Sequence, residues 1–295
     1  MSTRQLVFNT NNLVSNGYNN TYTLTIAGGG VNFDNNSISV ASINMYNSIF
    51  NINANSYKNN TFTLSIPYTS GGVNAYQTLS IALPNGYFAY QDILNYVNNQ
   101  MILLGAYLVQ TNGTYWTGIS ISANSVYYAC EIDLYPIYTA ATLPSGWTKP
   151  ASGLWSGAGL PTTSYTIQMT INSNISSIMG IPQATYPSSL QSTTFTQLST
   201  ITPVINPVES LFLRCNLCNN NLLVPQDILY NFTTQNTNFG QLIVVNPPEY
   251  QWNKIPKQST TNITLTIVDQ LFRPVLLQDS NLVITLLIRD DNGIN

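Results

Sequence analysis

The sequence predicts an all-β protein, and three observations carry that prediction. Apolar residues alternate with polar ones at a period of two along most of the chain. Only one substantial segment shows a helical period. The polar phase is built from neutral side chains rather than charges. A period of two puts every second side chain on one strand face, so half-buried sheets account for the pattern. The runs begin with Tyr22, Leu24, Ile26, then Ile38, Val40, then Phe62, Leu64, Ile66, then Leu79, Ile81, Leu83. They continue through Ile119, Ile121, then Val126, Tyr128, Cys130, Ile132, Leu134, then Tyr165, Ile167, Met169, Ile171. The last third adds Leu211 to Leu217, Leu242 and Val244, Ile263 to Ile267, and Leu282 to Ile288.

The exception runs from about Tyr90 to Leu104. Ile93, Val97 and Met101 recur there at helical spacing, Asp92 suits the N-terminal dipole, and Gly105 is placed to end the helix. A shorter helical turn is expected at 225–230, with Pro225 near its start. Gly28-Gly29-Gly30 closes an N-terminal section; it lacks a phosphate-loop context and reads as a turn. Residues 140–164, rich in Gly and Pro, read as one long loop, a length that is usually functional. The eleven or twelve strand runs exceed the eight of one jelly roll, and the surplus implies an insertion from about Pro84 to Leu198.

Of the 295 residues only 6% are charged, with 8 Lys+Arg, 11 Asp+Glu and no His. An ordinary domain carries about 25%. In their place stand 39 Asn, 33 Thr and 27 Ser. A genome bias toward Asn, Ile and Tyr would raise Lys too, and there are four. With 44% hydrophobic residues the chain has material for a large core. A net charge of −3 without clustered Lys or Arg offers no footprint for nucleic acid. The longest apolar runs, 101–109 and 282–288, fall well short of the roughly 18 residues of a membrane span. The first residues lack the apolar core of a signal peptide, so synthesis in the cytosol is the expectation. Without imidazole, catalytic triads, His-ligated zinc and His-based pH switching are excluded. No cofactor, metal or catalytic residue is assigned.

Each chemical motif has a plainer reading beside it. Cys215-Asn216-Leu217-Cys218 has only Cys130 as a further soft ligand and lies in a strand pattern, so Cys215 is expected in the core and Cys218 near the surface. Glu131 and Asp133 point the same way on one strand, which would suit Ca²⁺ or acid–base work but also an ordinary solvated face. Asp290-Asp291 reads as a solvated tail, and the seven Asn-x-Ser/Thr triplets follow from composition. Trp116, Trp147, Trp155 and Trp252, with 19 Tyr, suit sugar platforms, protein interfaces or core packing. Trp147 and Trp155, in the long loop, are the candidates for an outward-facing binding surface.

The C-terminal third carries a resemblance. Residues 201–217 (ITPVINPVESLFLRCNL), Val224-Pro225-Gln226-Asp227-Ile228-Leu229, Phe239-Gly240-Gln241-Leu242-Ile243 and Pro248-Glu249-Tyr250-Gln251-Trp252 form its first half. Residues 263–269 (ITLTIVD) and 282–289 (LVITLLIR) complete it. In order and spacing these resemble the penton, or minor capsid, proteins of virophages and Polinton-like viruses. Leu83-Pro84-Asn85-Gly86-Tyr87 and Met179-Gly180-Ile181-Pro182 share the likeness, which is best over about 179–291 and looser before it. The resemblance implies a jelly-roll β-sandwich with an inserted, mostly β second domain and one amphipathic helix. On that basis 1–35 is an N-terminal arm and strand, 36–83 the first part of the roll, 84–198 the insertion and 199–295 the second part. It implies a structural capsid protein that forms homopentameric vertices of an icosahedral virion and contacts the major capsid protein. The alternative is a glycan- or receptor-binding β-sandwich of a viral fibre or lectin type, using Trp147 and Trp155. A glycosidase using Glu131, Asp133 or Glu249 is a distant third, since it requires two carboxylates about 5–10 Å apart in a cleft. The N-terminal arm, residues 1–20, is expected to be held by its own domain or by neighbours.

Overall fold

The structure is a computed structural model, and it describes residues 2–234, 237–257 and 259–291. The chain opens with β1 (Thr3–Phe8), β2 (Thr21–Thr25), β3 (Val31–Asn32) and β4 (Asn36–Tyr46). There follow β5 (Thr61–Ser70), β6 (Val73–Ala82), helix α1 (Tyr90–Leu104), β7 (Leu108–Val109), β8 (Tyr115–Trp116), β9 (Ile119–Asn124) and β10 (Ala129–Leu134). Next come β11 (Gln168–Thr170), helix α2 (Ile175–Met179), β12 (Thr185–Tyr186) and β13 (Phe195–Leu198). The chain closes with β14 (Ser210–Cys215), β15 (Ile228–Thr233), β16 (Leu242–Val245), β17 (Asn253–Lys254), β18 (Ser259–Thr260), β19 (Asn262–Asp269) and β20 (Leu282–Asp290).

Two compact units result: Met1–Phe50 with Val208–Asn295, and Asn51–Pro207. In the first, two antiparallel sheets run in the orders β1-β20-β4-β16 and β15-β14-β19-β2. In chain order the eight main strands fall to the two sheets as first, second, first, second, second, first, second, first. That winding is a jelly roll. The second unit is inserted between its third and fourth strands.

Alternation builds the roll's core. Ile284, Leu286 and Ile288 of β20 face inward beside Ile43, Val40 and Ile38 of β4. The apolar phase of β4 slips by one residue between Val40 and Ile43. A register shift between Thr285 and Leu286 absorbs it, leaving Ala41 as the extra residue of a bulge. The N-terminal strand is held by its own unit, since β1 pairs with β20 from Thr3↔Arg289 to Phe8↔Ile284.

The inserted unit holds a sheet of order β12-β11-β5-β6, a second of order β13-β10-β9, and α1. Helix α1 spans the expected residues and buries Tyr90, Ile93, Val97 and Met101. Asp92 accepts the Ala89 N–H at 2.9 Å, and Gly105 ends the helix at φ 73°. The hairpin β5–β6, placed by the sequence in the first part of the roll, pairs instead with β11 through Leu64↔Met169 and lies in the inserted unit. Residues 199–207 fall there too. A strand's alternation tells which face is buried but not which sheet it joins.

Two local expectations are corrected. Residues 225–227 form a turn and 228–230 are strand, because Leu213 pairs with Tyr230 and the Cys215 N–H donates to the Asp227 carbonyl. Tertiary pairing here overrides a short helical pattern. The run Val126–Tyr128 is a turn between β9 and β10, with Val126, Tyr127 and Tyr128 at 83%, 70% and 69% exposure. Tyr128 sits at φ 49°, a left-handed conformation incompatible with a continuous strand.

Candidate functional site

The long loop of the inserted unit does not present both of its tryptophans. Trp155 is fully buried, and its indole N–H donates to the Pro67 carbonyl at 3.0 Å. The Leu154 and Trp155 N–H groups donate to Leu104 and Gly105 at 3.0 and 2.9 Å, tying the loop to the end of α1. At Gly105 a side chain would begin 2.5 Å from the Gly153 Cα, so this approach requires glycine on both strands of chain. Trp155 is therefore a core anchor, which corrects its assignment to an outward binding surface. A Gly-rich, Pro-rich segment with no periodicity gives no sign that its largest ring turns inward.

Trp147 is half-buried against the edge of that core. It forms a three-ring cluster with Trp116 and Tyr138, with centroids 5.8 and 5.5 Å away and the other two rings 5.1 Å apart. These spacings are those of mutually packed aromatic rings.

The carboxylate pair of β10 is occupied by cross-strand bonds. Asn124 donates to Glu131 at 2.6 Å and Thr196 to Asp133 at 2.6 Å. Burial, then the two carboxylates, pushes the Tyr135 phenol upward. Glu249 is exposed and belongs to the other unit. Among the described residues no group of three or more Cys, Asp or Glu is arranged to hold a metal.

The CxxC differs from its strand reading. Strand β14 ends at Cys215, and the chain turns so that the Cys218 N–H donates to the Cys215 carbonyl at 3.0 Å. Both thiols are consequently buried, at 1% and 6% exposure, and Cys218 is not near the surface as expected. Burial pushes Cys215 up to about 12 and Cys218 up to about 11. Neither is a poised nucleophile. Asp290 and Asp291 are likewise not a solvated tail. The Asp290 N–H donates to Ser2, and Asp291 accepts from Ser37 and, at 2.8 Å, from Arg289.

What the sequence did not single out is the outer face of the roll's first sheet. Across three ladders, Val7 lies opposite Thr285 and Thr285 opposite Ser42. In the next row Val283, Asn44 and Val244 stand side by side, and Tyr46 pairs with Leu242 beyond them. None of these eight is charged. Val244 is 54% exposed, Leu242 46%, Val7 44% and Val283 41%. The outward face of an antiparallel sheet is ordinarily polar. The alternation reading places Leu242 and Val244 on the buried phase of β16, and the structure corrects it. Ile243 is the inward residue at 3% exposure, and Leu242 and Val244 face outward, because the all-apolar run LIVV has no polar phase to mark its outer face.

No protein-family model matches the chain, and no curated protein matches it. Among solved structures it is similar to the mavirus penton protein, at 11% identity over 98% of each chain with a TM-score of 0.44. It is also similar to a chain in the structure of the Sputnik virophage, at 13% identity over 99% of each chain with a TM-score of 0.44. Likeness at this level leaves function to be argued from this chain's own residues.

Proposed function

We propose that the chain is a structural subunit of an icosahedral viral capsid, assembling as a homopentamer at the vertices and contacting the major capsid protein. The observation that carries this reading is the uncharged, partly apolar outer face of the roll. Apolar residues clustered on an exposed sheet face favour association, and the absence of charge lowers the desolvation cost of covering it. Neutral Asn, Ser and Thr among the apolar residues supply hydrogen bonds to a partner. The jelly roll itself and the ordered resemblance of residues 179–291 to penton proteins point the same way. The paired Glu131 and Asp133 have a structural role in this reading, with no catalytic step, and the site of action is the virion after synthesis in a host cytoplasm.

The test is the mass of the purified chain by light scattering, alone and with major capsid protein. A species five times the 32.5 kDa monomer is expected. A chain that stays monomeric at every concentration, and that major capsid protein neither recruits nor binds, would sink the proposal.

A further inference from the structure

The roll contains a cleft of about 280 Å³, away from the outer-face residues Val7, Val244 and Val283. It lies along strand β15, which is an edge of its sheet, and the segment 251–253 also lines it. Three aromatic residues line it, Phe212, Tyr230 and Trp252, together with four amides, Asn220, Asn231, Gln251 and Asn253. No Lys, Arg, Asp or Glu is among the lining residues. The nearest charged pair in sequence, Arg214 and Asp227, is closed on itself through contacts of 3.0, 3.0 and 2.8 Å.

The lining is partly pre-ordered. Asn220 donates to Asn253 at 3.4 Å, and Asn253 donates to the Gln251 carbonyl at 3.3 Å. The Arg289 guanidinium lies 4.3 Å from the centre of the Trp252 ring and fixes the indole. Gln251, Asn231 and Tyr230 make no side-chain hydrogen bond among the described residues, so their polar groups are available to a ligand.

From this we infer that the cleft is a binding site for a neutral carbohydrate. An amide side chain both donates and accepts, which matches the hydroxyls of a sugar, while flat aromatic rings meet its apolar C–H face. Other occupants fit less well. A purely apolar side chain would leave the amides unpaired on burial. A nucleotide would bring phosphate charge to a lining without Lys or Arg, and the neighbouring Arg289 is already paired with Asp291 at 2.8 Å. The volume is close to the lower end of small-ligand sites, about 300–1,000 Å³, and suits a terminal sugar rather than a long chain.

The experiment is saturable binding of the full-length chain to neutral, sialylated and sulfated glycans on an array, followed by saturation-transfer NMR on the best ligand. At least one neutral glycan should bind, and Trp252→Ala should weaken it by tenfold or more. Because Trp252→Ala also removes the ring beneath Arg289, Gln251→Ala is the decisive partner variant, expected to weaken binding several-fold with an unchanged melting temperature. Retention of no neutral glycan would overturn the site, as would exclusive binding of anionic glycans. Binding left intact by both variants would overturn it as well. The outcome is independent of the pentamer, since glycan binding is read on the chain in whatever oligomeric state it adopts.

Discussion

The two units spend their apolar residues differently. In the inserted unit the strongly exposed ones are spread over separate elements: Val73 beside a hairpin turn, Tyr115 in β8, Val126 to Tyr128 in another turn, Leu103 on the outer side of α1 and Ile201 after β13. The roll also exposes Leu222, Val224 and Leu271 between its strands, but in addition Val244, Leu242, Val283 and Tyr46 occupy adjoining ladder positions on one sheet face. Scattered exposure is ordinary, whereas a contiguous patch calls for a partner. Charge divides the same way. The inserted unit carries only Lys58, Asp92, Glu131, Asp133 and Lys149, and every ion pair seen among the described residues lies in the roll. The roll fixes its ends with charge and leaves a neutral face between them. The insertion relies on its core.

Two substitutions break that contrast if it is wrong. Trp155→Ala removes the largest fully buried side chain and its bond to Pro67. A loss of about 3–5 kcal/mol in urea unfolding is expected, with a much smaller loss for the half-buried Trp147→Ala. Equal small losses would put Trp155 back at the surface. Val244→Lys is expected to do the reverse, leaving unfolding within about 0.5 kcal/mol of wild type while abolishing the high-mass species. If Val244→Lys assembled normally, the outer sheet face would be released from its role.

How much of this was legible in the sequence depended on whether a feature is local. Helix α1 was readable to its ends because Ile93, Val97, Met101, Asp92 and Gly105 all lie within the helix or directly beside it. The inward faces of β19 and β20 were readable from alternation alone. The allocation of β5 and β6 was not, since their partner β11 lies about a hundred residues away and pairing leaves no mark on either strand. The inward turn of Trp155 depends on a glycine–glycine approach between Gly105 and Gly153, again a non-local fact. Alternation also concealed the CxxC turn: Cys215 obeys the strand period, and the chain bends just after it. The outer roll face required knowing which strands are neighbours before its apolar residues formed a patch.

The thiols provide a smaller test that reaches both units, with Cys130 in the insertion and Cys215 and Cys218 in the roll. Burial is the main cause of their raised values, about 12 for Cys130 and Cys215 and about 11 for Cys218. An acid whose folded pKa is raised contributes stability that is present below its unfolded pKa. That contribution is lost as pH rises toward the folded value. The urea midpoint should therefore fall between about pH 9 and 11, on top of any tyrosine contribution. At pH 7 a thiol-specific disulfide reagent should label all three cysteines after unfolding and none rapidly before it. Fast labelling of native Cys218 would restore the near-surface position that the turn after Cys215 denies it.

The smallest effect is expected where the roll's chain end is pinned. Burial acts to raise the Asp291 pKa, but hydrogen bonds from Ser37 and Arg289 outweigh it, helped by the charges of Arg289 and Lys254, and the carboxyl titrates below its usual range. A depressed carboxylate contributes stability above its unfolded pKa of roughly 4, and that contribution disappears as pH falls through the lower folded value. The group is partly solvated, so screening keeps the gain small and salt-sensitive. Asp291→Asn should consequently shallow the loss of melting temperature between about pH 4 and 2, most visibly at low salt, with little change at pH 7 beyond the lost ion pair. An identical acid limb in wild type and Asp291→Asn would mean that the end of β20 is held by its backbone ladders to β1 and β4 without help from this carboxylate. The charges at this edge of the roll would then be as dispensable as the inserted unit's own scarcity of charge implies.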